Sequence, residues 1–520
     1  PAVPWQFAMP TSRRHHAART DPVAPSRPSR SGLSQFVAPV AFVAPGQHHS
    51  RAGVRMDTLR AMATTAAPRR RPIPGPRARY PGELVLRIVR GRLEFFVALA
   101  ADHGDVAGAA LGAEKLVLLS HPDAIRTVLA APQGKFKKGL GLERAAEFLG
   151  DGLLTSEGDV HLRQRRLVQP AFHRERIAGY ADTMVRHAEA TAATWRTRAA
   201  DPGATIEASH AMHALALAIA GETFFGADVS GDVARVGRAV DDAMATFDVA
   251  ISPIYPLLKR FPVIPVVRRF EAARRELDDV ITRLITTRRA EGPGRDDLLG
   301  LLLAARDTQG DGSGMSEAQL KDEILTLLAA GHETTANLLT WALWELAADP
   351  LLQDAVRAEV ASVAGDGPLD ARHATRLPLV RAVVSETLRL HPPAWIMGRR
   401  ALVDHTIDGW TIPRGTTILA SQFIVHRDPR WWPEPERFRP ARWLDDTQAA
   451  GRPRFAFFPF GAGVRMCIGD QFTWMEATLL LAALLRAVRL SLPPDATLPR
   501  RVPSVTLRAE RPVVLRVERV

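Results

Sequence analysis

The sequence predicts a mainly α-helical chain with small β-structure, and three observations carry that prediction. Ser316 followed by Gln319 makes a capping-box start, and an apolar period then runs through Leu320, Ile324, Leu327, Leu328, Leu338, Leu339, Leu343 and Leu346 until Asp349-Pro350 stops it. The result is a helix of about 32 residues, roughly 48 Å, long enough to cross a domain. A second helical period, Phe472, Met475, Glu476, Leu479 and Leu480, follows the chain's single cysteine, Cys467. The clearest β-structure is 406–419, where polar and apolar residues alternate around the Asp408-Gly409 turn.

The 520 residues are 46% hydrophobic and 24% charged, the balance of an ordinary globular protein, and the motifs favour one large domain over 72–520. Residues 1–71 carry eleven arginines against Asp21 and Asp57, so +9 of the formal +12 sits there and +3 in the rest. That segment is rich in Pro, Ala, Ser and Arg without a sustained period and is expected to be a disordered basic tail, part of it open to being non-native sequence. The high pI therefore implies no nucleic-acid function. No run of about 20 apolar residues and no compact signal-peptide core occurs, so no membrane anchor and a cytoplasmic, monomeric protein are expected.

Along the chain, Leu153 to Gly158 leads into a helical run with His161 and Arg165 one turn apart; alone, its arginines read as a solvated face. The long helix has its apolar stripe interrupted by Ala330-Gly331-His332-Glu333-Thr334-Thr335. Gly costs such a helix about 1 kcal/mol relative to Ala and Thr hydroxyls divert backbone hydrogen bonds, so a kink or bulge is expected there. Glu386 and Arg389 share one face of a helix that ends at His391-Pro392-Pro393. The lone Cys467 cannot form an internal disulfide or a four-cysteine metal site, which leaves inert burial, a nucleophile or an axial haem ligand. Gly461, Gly463 and Gly469 allow a tight turn and close approach to a flat cofactor, and Phe460 is placed to cover one side of the sulfur. Arg465 suits a carboxylate, and the helix N-terminus beyond the cysteine favours a thiolate.

Phe460, Gly463, Arg465, Cys467 and Gly469 together match F-x-x-G-x-R-x-C-x-G, and here the chain resembles the cytochrome P450 family. The resemblance implies that Cys467 is the proximal thiolate ligand of haem b, iron protoporphyrin IX, with Gly461 and Ala330 against the cofactor. Residues 330–335 are similar to the family's A-G-x-[DE]-T-[TS] groove, implying that Thr334 holds the activated oxygen and Glu333 relays the protons that O–O cleavage needs. His332 is expected to have no chemical role. The stretch Pro435 to Trp443 looks like the family segment before the haem loop, which implies a buried Glu386–Arg389–Arg437 cluster that preorganises that loop. Arg399 matches a strand position that reaches a haem propionate, with Arg400 as its competitor. His161 and Arg165 match a second propionate-binding pair, although many members carry Trp where this chain has His161. The implied fold is a single mainly α haem-thiolate domain, the cytochrome P450 fold with small β-sheets, over roughly 72–520.

The implied activity is insertion of one oxygen atom of O2 into a lipophilic small molecule, with electrons from a ferredoxin or flavodoxin and its NAD(P)H-dependent reductase. An acidic ferredoxin is expected to dock near Arg163, Arg166, Arg442 and Arg454. The substrate pocket is expected at Ala329, Ala330, Trp395, Ile396, Met397, Ser504 and Val505, with further contacts from 136–148 and 211–265. His391-Pro392-Pro393-Ala394-Trp395 looks somewhat like terpene-oxidising bacterial members, with fatty acids as runner-up. A haem-thiolate peroxygenase using H2O2 is a competing reading, but that class tends to lose the acid–alcohol pair. A non-enzymatic haem-based ligand sensor is the other, and it would not need Thr334.

Overall fold

The capping box at Ser316 begins a helix where the sequence places it. The computed structural model describes residues 72–226, 255–261, 263–292, 297–445 and 450–520, with isolated positions between 235 and 249. The tail 1–71 and part of the 211–265 substrate region lie outside the described residues. Ser316 Oγ accepts from Gln319 N at 3.2 Å, and the helix spans Glu317–Ala348, 32 residues, until Asp349 breaks it and caps the next helix, Pro350–Ala364.

Five helices position the site: α1 Gly158–Val168, α2 Ala208–Phe225, α3 Glu317–Ala348, α4 Pro378–Leu390 and α5 Asp470–Ala487. α3 is apolar nearly all round, with Leu338, Leu339, Trp341, Ala342 and Leu343 fully buried, so it runs through the interior rather than across the surface. α2 lies along it, and α5 packs on Ala181–Arg198, α4 and α3, making one continuous core. At Gly331 an added Cβ would meet the Phe224 ring of α2 at 3.2 Å, so the glycine sets how closely these helices approach. α3 is α-helical without a break through 330–335, and the Thr334 hydroxyl donates to Ala330 O at 2.7 Å, the back-bonding expected of a Thr there.

The small β-sheets expected are present, beginning with the hairpin. His405–Ile407 pairs with Trp410–Ile412 around Asp408 (φ 48°) and Gly409 (φ 76°), as the Asp-Gly turn requires. A separate five-stranded sheet has β1 Val106–Leu111, β2 Glu114–Leu119, β3 Phe136–Lys138, β4 Met397–Ala401 and β5 Thr417–Ala420 in the order β1-β2-β5-β4-β3. Its register sets Lys138 opposite Arg399 and Lys137 opposite Arg400. Because successive side chains alternate faces, these are two separate cation pairs on opposite sides of the sheet. The chain ends in a hairpin, Arg501–Pro503 with Leu507–Ala509, and a three-stranded sheet in which Val514–Arg519 pairs with Thr205–Glu207 and Val488–Ser491. Among the described residues no helix is long and apolar enough to cross a membrane.

Candidate active site

Cys467 sits between a short 3-10 turn, Gly463–Arg465, and α5. Its N–H donates to Phe460 O at 2.9 Å, closing the loop, and Arg165 Nη1 of α1 donates to Met466 O at 2.8 Å, pinning the loop from outside. Gly463 has φ +67°, and a Cβ there would stand 2.5 Å from Leu129 O. Gly461 has φ +68°, and a Cβ there would press on Met397 at 3.2 Å. The loop is therefore a cradle that only glycine completes. The Phe460 ring packs edge-on to Trp474 at 5.8 Å.

The Cys467 side chain is exposed, yet it opens into low-dielectric protein. Burial pushes its thiol up to about 11, outweighing the Gly469 N–H and the Arg165 charge that pull it down. The Gly469 N–H at the helix N-terminus favours the thiolate as expected, but desolvation outweighs it, and a cation at the sulfur is what would hold the ionised form. On α3, Ala330 is exposed and Ala329, Gly331 and Thr334 are half-buried while their neighbours are buried, so one face of an interior helix opens on a cleft.

Beside the cysteine loop lies an excess of buried positive charge. Arg399 and Lys138 are each more than nine-tenths buried and face each other across β3 and β4. Burial and then the Arg465 charge push Lys138 down to about 7 and Arg399 down to about 10. His161, buried on α1, is pushed down to about 3 by burial and then by Lys138, Arg465, Arg165 and Arg399. Like charges directly opposite in a sheet are destabilising, and Glu157 answers these cations, bonding Arg465 and accepting from Lys138 N at 2.6 Å, with Glu323 adding a second negative charge towards Lys138. Lys138 Nζ spends itself on Leu153 O at 2.9 Å and Ser156 O at 2.6 Å. A groove between Val128, Leu129, Phe136, Val464, Arg465 and Arg399 runs up to this cluster.

A single exposed thiol, a glycine cradle and a buried cation cluster short of anions fit an iron porphyrin with two carboxylates. Cys467 would hold the iron, and Arg399, Arg465, Lys138 and Arg165 would face the propionates. Strand parity separates the two arginines that the sequence left in competition. Arg399 points to the cluster, whereas Arg400 points to the other face, where it pairs with Glu114 at 3.2 Å and Glu143 at 3.7 Å.

The predicted supporting cluster forms with one member changed. Glu386 is fully buried and accepts from Arg389 Nη2 and Nε at 2.9 Å, but its third partner is Arg442, Nε to Oε1 at 3.0 Å, with Arg439 N and Trp443 Nε1 completing the shell at 2.9 and 2.8 Å. Arg437 is corrected: its side chain is 67% exposed and pairs with Glu434, and only its carbonyl reaches the cluster, accepting from Arg389 at 3.1 Å. The turn at Pro440–Trp443 swings Arg442 inward and leaves Arg437 on the rim. The same burial removes Arg442 from the expected ferredoxin-docking patch. Arg163 and Arg166 are both occupied by Asp307, at 3.8 and 2.7 Å, whereas Arg454 is exposed.

Sequence reasoning missed several residues here. Lys138 lies in Lys135-Phe136-Lys137-Lys138, which reads as a solvated charge run until β3 pairs with β4. Glu476 was counted as part of a helical stripe; it is buried on α5, accepts from Thr335 Oγ1 at 3.0 Å, and burial pushes it up to about 8. His332 packs edge-on to His213 at 5.1 Å, and burial pushes it down to about 3. Of the pocket positions, Trp395 Nε1 donates to Ser504 O at 3.0 Å, joining two of the predicted segments, while Ile396 is half-buried and Val505 is 39% exposed.

Fold and site together define a haem-thiolate protein. The family model described as Cytochrome P450 matches residues 72–516, and the chain belongs to the cytochrome P450 family. It is similar to cyclooctatin synthase of Streptomyces melanosporofaciens, 38% identical over 402 residues that cover 77% of this chain and 85% of that protein. Cyclooctat-9-en-7-ol 5-monooxygenase of the same organism is 34% identical, covering 79% and 87%. Pentalenene oxygenase of Streptomyces avermitilis is 35% identical, covering 79% and 89%. The chain is a haem b monooxygenase of the oxidoreductase class that inserts one atom of O2 into a lipophilic small molecule. Bacterial members generally take their electrons from redox partners and act on lipophilic substrates.

Proposed function

We propose that this monooxygenase oxidises a terpenoid, with Cys467 as the axial ligand and Glu333 and Thr334 as the groups that deliver protons. The observation that carries the reading is the acid–alcohol pair on α3, with Thr334 on the open face and Glu333 buried beside it, in a chain whose relatives are named for cyclooctat-9-en-7-ol and pentalenene. The balance is RH, O2, two electrons and two protons giving ROH and water. Haem b supplies the iron at which O2 is bound and cleaved. The protein must then bring protons into a cleft that excludes water, and Glu333, buried beside Thr334, can carry them. The Thr334 hydroxyl donates to Ala330 O and can turn from that carbonyl towards the cleft.

Ala329, Ala330, Met397 and Val505 are proposed as the apolar contacts to substrate, while Trp395, fully buried, anchors Ser504 instead. Electrons would come from a ferredoxin or flavodoxin fed by an NAD(P)H-dependent reductase, to a monomer in the cytoplasm, with 72–520 as the catalytic domain and 1–71 outside it. The test is a spectral titration of the ferric protein with terpenes and with fatty acids, followed by turnover with NAD(P)H-fed partners or with peroxide alone. Water displacement by terpenes and partner-dependent product are expected. A response to fatty acids alone would overturn the substrate class, and product from peroxide alone would replace the monooxygenase route with a peroxygenase one.

A further inference from the structure

The terminal hairpin reaches the proton-relay acid. Its tip, residues 504–506 between Arg501–Pro503 and Leu507–Ala509, turns with Ser504 N donating to Thr506 O at 3.0 Å. Thr506 Oγ1 donates to Glu333 Oε1 at 2.7 Å and accepts from Asn337 Nδ2 at 3.0 Å. All three side chains are more than nine-tenths buried. Glu333 and Asn337 are four apart on α3 and so lie on one face, the face that meets the hairpin. A hydroxyl has one hydrogen to give, so with Asn337 as donor that hydrogen is committed to Glu333. On its other side the tip is tied to the pocket, because Ser504 O accepts from Trp395 Nε1 and Val505 stands 39% exposed between the two anchors.

We propose that Thr506 is a positioning residue for Glu333, holding Oε1 and with it the orientation of the carboxyl that takes and gives the relayed proton, and that the pocket tip thereby ties the seating of substrate to proton delivery. This rests on the reading of Glu333 as the relay. A substrate that packs against Val505 without shifting the tip keeps the acid aligned; one that shifts it lets the carboxyl swing and diverts electrons to peroxide.

The experiment uses the haem-loaded full chain with its redox partners and compares Thr506→Val, Thr506→Ser, Glu333→Gln and the Thr506→Val/Glu333→Gln double variant. Val keeps the shape and removes the hydroxyl. Thr506→Val should bind substrate normally in the spectral titration and still consume NAD(P)H. Its proton-dependent step should slow about tenfold, as loss of one charge-assisted hydrogen bond implies. Product per NAD(P)H should fall and the solvent isotope effect should grow. Thr506→Ser should restore all of these, and adding Thr506→Val to Glu333→Gln should change nothing further. Unchanged coupling and solvent isotope effect in folded Thr506→Val overturns the proposal, as does an additive double variant. If Glu333→Gln itself couples like the parent, the relay reading fails first, a result separable from the other two.

Discussion

Replacing Arg442 with Met tests the corrected cluster most directly. Glu386 has five N–H donors on its two oxygens, and Arg442 supplies one of them and one of the two neutralising charges. Arg442 also donates to Pro433 O at 2.9 Å, Glu434 O at 3.3 Å and Arg437 O at 3.4 Å, so its loss removes these three bonds as well. Met fills most of the volume, which leaves the electrostatic and hydrogen-bond loss as the main change. Removing one partner of a fully buried ion pair costs about 3–5 kcal/mol, a large part of the about 5–15 kcal/mol that holds a typical domain. The control is Arg437→Ala. That exposed side chain is paired only with an exposed Glu434, and such pairs contribute little or nothing measurable. The assay is a urea titration followed by circular dichroism, together with the fraction of chains giving the thiolate-type carbon monoxide spectrum. Arg442→Met should lower both severely and Arg437→Ala neither. If Arg437→Ala is the more damaging, or if Arg442→Met stays within about 1 kcal/mol of the parent, the packing argument is wrong.

Gly463→Ala should lose haem on expression, since its Cβ would fall 2.5 Å from a backbone oxygen at a positive φ; haem content per chain measures it. Arg399→Ala should weaken haem retention in an apomyoglobin transfer assay while Arg400→Ala should not, because Arg400 already pairs with Glu114 and Glu143 on the other face of the sheet. Burial raises Glu476 from the usual 4.5 to about 8, so between those values the folded chain holds a proton that the unfolded chain has released, and stability falls as pH rises through that window. Each such proton contributes a slope of about 1.4 kcal/mol per pH unit. Glu476→Gln should remove one proton's share of that slope in urea titrations between about pH 5 and pH 8; an unchanged slope would show that Glu476 is ionised in the folded protein.

What the sequence determined by itself is whatever depends on neighbours within a turn or two. The Ser316 cap, the 32-residue length of α3, the end of α4 at His391, the Asp408-Gly409 turn and the glycine cradle around Cys467 are all set by φ preferences, caps and periodicity. The family motif added the identity of the thiolate loop on the same local footing. Tertiary structure decided everything that depends on which distant strand or turn comes alongside. Arg442 rather than Arg437 is buried because the turn at Pro440–Trp443 fixes their directions. Arg399 rather than Arg400 joins Lys138 because the pairing of β3 with β4 sets the parity. Thr506 reaches Glu333 across 173 residues of chain. No local propensity encodes those contacts. They follow from burying the apolar faces of α3, α5 and the sheet together, and the charges that packing traps inside are the ones left to hold a cofactor and move a proton.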